Sequence, residues 1–343
     1  MSARVFWTLP ASGDGRSANR RRFSRGDFQG ITRPVHGAGL TDDRAKHFSY
    51  YDHLFQVARA AESSGFKGAL IPWEPAGEDP WIVAAALVRQ IRKLVFLPEL
   101  EPGFATPVYL AKMSVSFQRL SGNRLAWQFE LERDPQVRRA HGDPLQGDDF
   151  FQRVDEYLEA ARGVLLTRPY DFRGRFYDVE KGGFDAPLSG TPLPPIFTSG
   201  SSDAALSVAG KRSDFHVVRG ASLDEVKAAI VRLEAAAAAH GRSVKPVLRL
   251  QVIARHTDEE ARAAAREAGA EAALIGSYDN VAQRLEAYLE LGVERLILSG
   301  YPHLEEAYRL GEHVLPKLSA HRAVARAPAA PHLTKATPQP GSN

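Results

Sequence analysis

The 343-residue chain contains no cysteine. Disulfides, thiolate metal sites, iron–sulfur clusters and cysteine nucleophiles are excluded together. Long apolar runs are also missing: the stretch 81–88 is among the longest, far below the roughly 18 residues that a membrane helix needs. Nor does charge of one sign dominate, since 44 Lys and Arg stand against 41 Asp and Glu. The tail contributes Arg322, Arg326 and Lys335 without an acid, so the body is near neutral and no nucleic-acid partner is expected. The first ten residues enter an apolar stretch directly, without the basic start and long apolar core of a signal peptide. A cytoplasmic protein with no membrane association is expected. No pair among the 11 histidines has helical metal-ligand spacing beside a carboxylate, so no metal site is expected.

What is present is alternation. Short apolar runs at 5–9, 68–71, 94–97, 125–131, 196–198, 215–218, 248–254 and 295–298 are separated by longer amphipathic segments. Eight strands each followed by a helix predict an α/β fold, a (β/α)8 TIM barrel over residues 1–318. Three stretches depart from the pattern. A long polar loop after the first strand carries Arg16, Arg20, Arg21, Arg22 and Arg25. An excursion between the fourth helix and the fifth strand, 168–195, holds one short strand pair at 170–179. The Ala-, Pro- and base-rich end, 319–343, is expected to be a disordered tail.

Active sites of such barrels form at the carboxyl ends of the strands. On the seventh strand, Arg249 interrupts an apolar run. Period-two alternation puts Arg249 and Gln251 on one face and Leu248, Leu250 and Val252 on the other, which helices must cover. The polar pair is therefore expected inside the barrel. A guanidinium there needs a carboxylate or an anionic ligand, so the choice lies between an anion site and a structural pair with a strand-end glutamate such as Glu130. After the fifth strand, Gly200-Ser201-Ser202-Asp203 opens a helix. Its amides could receive a phosphate, or the serines could be plain caps. The arginine-rich loop is read either as a charged lid over an anionic substrate or as a solvated surface loop.

The stretch 298–308, Leu-Ser-Gly-Tyr-Pro-His-Leu-Glu-Glu-Ala-Tyr, resembles the flavin-dependent alkanesulfonate monooxygenases of the bacterial-luciferase-like family. The resemblance extends through 5–10 with Gly13-Asp14-Gly15, 68–72 with Glu78-Asp79, 200–203, 239–242 and 248–253. It implies reduced flavin mononucleotide (FMN) delivered by a separate flavin reductase, reaction with O2, and attack on an organosulfonate or related small anion. Carried over by position, the family's strand-seven arginine falls on Arg249 and its strand-eight tyrosine on Tyr301, with Gln251 beside them in the catalytic group. Gly200, Ser201 and Ser202 would hold the cofactor, and Trp7 and Arg219 the substrate. A homo-oligomer, or a heterodimer with a paralogue, is expected.

Other family positions are changed: Ser12, Gly77, Arg219 and Gln251 replace a histidine, a cysteine, a tryptophan and a histidine. The strand-four flavin stretch reads Glu130-Leu131-Glu132, and the next helix opens with Phe151-Gln152. Two carboxylates beside a flavin phosphate would repel it by several kcal/mol at an effective dielectric of about 20. Arg219 or the arginine-rich loop would have to compensate. Two other readings follow from these changes: a non-catalytic paralogue that supports a partner or binds a ligand, and a flavin oxidoreductase acting on a non-sulfonate substrate.

Overall fold

The computed structural model describes residues 4–11, 50–103, 105–218, 222–268 and 274–318. In chain order the elements are β1 (Arg4–Thr8), α1 (Tyr50–Ser63), β2 (Gly68–Ile71), α2 (Pro80–Leu87), β3 (Val95–Leu100), α3 (Pro107–Ser121), β4 (Trp127–Glu130), α4 (Pro135–Ala140) and α5 (Gly147–Leu166). They continue as β5 (Tyr170–Arg173), β6 (Asp178–Gly182), β7 (Ile196–Ser199), α6 (Asp203–Arg212), β8 (Phe215–Val218), α7 (Leu223–Ala238), β9 (Lys245–Arg255) and α8 (Asp258–Ala268). Last come β10 (Leu274–Ser277), α9 (Tyr278–Glu290), β11 (Arg295–Ser299) and α10 (His303–His313).

Eight of the strands close into a parallel barrel. The order β1-β2-β3-β4-β7-β8-β9-β11 returns to β1, with every neighbouring pair parallel. The expected (β/α)8 architecture is therefore the observed one, and the excursion after α5 is the antiparallel β5–β6 hairpin. Two elements differ from expectation. The seventh barrel strand is longer than its apolar run and forks: Val247–Gln251 pairs with β11, while Val252–Arg255 pairs with β10. β10 has only four residues, one of them Gly276, which gives too little alternation to read as a strand. The other addition is the six-residue helix α4, started by Asp134, whose carboxylate accepts from the Gln136 amide at 2.7 Å.

Alternation sorts the side chains into two cores. Between sheet and helices lies the larger, with Trp7, Phe96, Trp127 and Phe129 fully buried. Inside the barrel Phe6, Leu70, Leu97, Phe197, Phe215, Val217, Val247 and Ile297 fill the lower layers. Phe197 and Phe215 stack with centroids 4.5 Å apart, and the Arg295 guanidinium sits 3.9 Å from the Phe215 ring centre. This plug closes the bottom of the barrel. Among the described residues, no helix is long and apolar enough to cross a membrane.

Phe197 is 1% exposed and meets rings from two other strands. Phe197→Ala should cost about 3–5 kcal/mol of unfolding free energy. Urea denaturation checks this, and a loss under about 1 kcal/mol would mean that the plug does not carry the interior core.

Candidate active site at the barrel mouth

Above the aromatic plug the inward positions turn polar. Gln128, Glu130, Ser199, Arg249, Gln251 and Ser299 line a cavity of about 340 Å³ whose apolar wall is Leu70, Val217 and Ile297. Arg249 and Gln251 thus lie inside the barrel and Leu248 and Val252 are buried on the outer face, as the alternation requires, whereas Leu250, expected on that outer face, packs against the outer core but also borders the cavity. The Gln128 amide donates to Ser199 Oγ at 3.0 Å, and that hydroxyl donates to Glu130 Oε2 at 3.0 Å. Glu130 is thereby tied to the wall. Arg249 is exposed to the cavity, and no hydrogen bond or ion pair holds its guanidinium among the described residues. A structural pair with a strand-end glutamate, one of the two choices for this residue, is not formed there.

A second cluster joins the ends of β2, β3 and β4. The Arg133 guanidinium bridges Glu99 and Glu101, donates to the Trp73 carbonyl at 3.2 Å and stacks 4.4 Å above the Trp73 ring. One cation faces two buried carboxylates, so full ionisation would leave an excess negative charge in a poorly solvated place. Burial pushes Glu99 up to about 7, against the pull of Arg133 and Arg249. Sequence reasoning missed Arg133. Its partners lie 32 and 34 residues away, and no spacing rule connects them.

At the start of α6 the amides are already taken. Glu132 accepts from the Ser201 amide at 2.8 Å, the Ser201 hydroxyl at 3.1 Å and the Ser202 amide at 2.6 Å. Ser202 Oγ caps the helix through the Ala205 amide at 3.3 Å. Gly200 has a φ of +145°, and a Cβ there would meet Ala205 Cβ at 2.7 Å and the Glu132 side chain at 3.3 Å. From behind, His216 Nε2 donates to the Gly200 carbonyl at 2.8 Å, and its Nδ1 lies 2.8 Å from Thr198 Oγ1. A carbonyl only accepts, which fixes the tautomer: Nδ1 receives the Thr198 proton, and Ser213, 2.7 Å from Thr198 Oγ1, donates to that oxygen. Burial pushes the imidazole below its ordinary value and keeps it neutral.

Two further expected site residues, Trp7 and Tyr301, are not among the residues that line this cavity. Trp7 alternates with the inward Phe6 and is fully buried in the outer core, 5.2 Å from the Phe66 ring. It cannot meet a ligand in the barrel. Tyr301 follows β11, is buried and stands edge-on to His303 at 6.4 Å, outside the cavity lining. Arg219, Ser12, the arginine-rich loop and the 319–343 tail lie outside the described residues. Among the described residues no group of His, Asp or Glu could hold a metal ion.

A family model described as luciferase-like monooxygenase matches residues 28–270, more than half of the chain. The chain belongs to the luciferase-like monooxygenase family. Among solved structures this family member is similar to EDTA monooxygenase from Chelativorans sp. BNC1, with 16% identity, TM-score 0.73, and 96% of this chain and 95% of the other covered. DmoA from Hyphomicrobium sulfonivorans gives 16% identity and TM-score 0.74, covering 95% and 89%. A riboflavin lyase, solved with modified FMN and its substrate riboflavin, gives 16% identity and TM-score 0.72, covering 92% and 91%. At such identities the likeness is one of fold.

The titration of Glu99 has a consequence for stability. Folded, Glu99 keeps its proton up to about pH 7, whereas its ordinary value is 4.5. The folded state therefore binds the extra proton, and the stabilisation is complete below the ordinary value and lost as pH rises through about 7. Denaturation midpoints of this luciferase-like chain should fall across that window, and Glu99→Gln should flatten the fall. An unchanged slope in the variant would assign the titration to another group.

Proposed function

We propose that the protein is a flavin-dependent monooxygenase whose substrate is a small organic anion, a sulfonate or carboxylate, held by Arg249. The observation that carries this reading is the guanidinium in the cavity, which has no hydrogen bond or ion pair among the described residues and shares the lining with Gln128, Gln251, Ser199 and Ser299. A guanidinium presents parallel N–H donors that match two oxygens of a sulfonate or carboxylate, and neither partner loses its charge near neutral pH. The Leu70, Val217 and Ile297 wall would receive the apolar part of such a molecule. On this reading a separate flavin reductase is the partner.

A bound FMN would need donors for its phosphate. The barrel mouth offers room for a ligand, but the α6 start does not offer a phosphate free amides, because Glu132 holds them. What the chain's own residues do is narrower: Arg249 fixes the anion, the Gln128–Ser199–Glu130 string fixes the opposite wall, and the aromatic plug shuts the lower end to water. The occupied α6 start favours a second reading, a paralogue that binds the anion without turnover.

Incubation with reduced flavin, oxygen and a panel of alkanesulfonates and carboxylates tests the first reading through product release, sulfite for the sulfonates. Arg249→Met should lower kcat/KM by about 30- to 1000-fold, equivalent to about 2–4 kcal/mol, with the melting temperature little changed. Full activity in a destabilised variant would return Arg249 to a structural role. Calorimetric binding of the anion by the native chain with no product would support the second reading.

A further inference from the structure

Glu132, which follows β4, reaches across to the start of α6. Its carboxylate takes two backbone amides and a hydroxyl, the set of donors that a phosphate would use. No cation pairs with it among the described residues. Two residues earlier, Glu130 accepts from the Glu132 amide at 3.2 Å, so a second carboxylate stands over the same turn. The neighbouring groove between α5 and α6, about 280 Å³, adds Asp148 and Asp155, and its one lysine, Lys211, is 2.6 Å from Asp155. Arg232 reaches Asp203 at 2.8 Å. Among the described residues, Lys211 and Arg232 beside the α6 start are each matched to an acid already present.

A phosphate arriving there would have to displace Glu132 and then lie beside the displaced carboxylate and Glu130. A neutral polyol would not. Carboxylates only accept hydrogen bonds, and each has about four lone-pair directions, so Glu132 keeps capacity for hydroxyl donors after its amide contacts are made. Hydroxyls donate, whereas a phosphate near neutral pH is largely ionised and offers mainly acceptors.

We propose that Glu132 is the built-in anion of the α6 start, and that the flavin accepted by this barrel ends in a neutral polyol rather than a phosphate. The first half rests on the contacts alone, and the second also rests on the flavin reading above. Glu132 is held below its ordinary value: burial raises it, and hydrogen bonds from Ser202 and Ser201 outweigh that. It remains a carboxylate in the neutral range.

The test titrates the full chain, anaerobically and with both redox states, with riboflavin and with FMN. The same titrations are run on Glu132→Ala and Glu132→Gln. The native chain should bind riboflavin at least as tightly as FMN, and Glu132→Ala should tighten FMN about tenfold or more while leaving riboflavin no tighter. Glu132→Gln keeps the shape without the charge and should fall between them. FMN binding about tenfold tighter than riboflavin in the native chain would overturn the proposal. A parallel arm uses inorganic phosphate and the melting temperature. Phosphate should leave the native chain unmoved and stabilise Glu132→Ala, and equal stabilisation of both would show that Glu132 does not fill the cradle. If no flavin binds any variant, the flavin reading and the second half of the proposal fall, while the phosphate arm still decides the role of Glu132.

Discussion

A guanidinium cannot discard its charge, and this barrel places one in its interior without a carboxylate in contact among the described residues. Everything around the cavity follows from that constraint. Period-two geometry sends Arg249 inward, and the closed sheet leaves its charge only the mouth to face. The nearby acids are held by other groups: Glu99 and Glu101 by Arg133, Glu130 by Ser199. The wall thus keeps its carboxylates occupied and its arginine available.

The mouth is electrostatically divided. On the β9 side stands a cation that invites an anion, and on the β4–β7 side stand Glu130 and Glu132, which repel one. A ligand spanning both would be charged at one end and neutral but hydroxyl-rich at the other, or two ligands would divide the space. The polar strings behind each wall make the division rigid, because Ser199, Thr198 and His216 each use their hydrogen-bonding groups within the protein.

Alternation made most of the fold legible. Eight apolar runs at barrel spacing predict the architecture, and the polar interruption at Arg249 and Gln251 identifies the inward face of β9. Local chemistry was read as well: Ser202 is a cap, as the Gly200-Ser201-Ser202-Asp203 sequence suggested. Long-range pairing was not readable. Nothing in the spacing tells that Arg133 reaches back to β3, that Glu132 crosses to α6, or that His216 props Gly200, since each bond joins elements that only closure of the barrel brings together. Trp7 was misplaced for a related reason. Assigning it to the substrate followed the resemblance rather than the alternation, which puts it opposite Phe6 and among the helices.

The buried string Ser213–Thr198–His216 ends on the Gly200 carbonyl and fixes the following peptide from the rear. The direction of the Ser201 and Ser202 amides is then set by the scaffold, whatever lies in front of them. A donor pair held this way costs nothing to organise when its acceptor changes. Exchange of an internal acceptor for an external one therefore needs no rebuilding of the backbone, only the withdrawal of a single side chain on the adjoining turn.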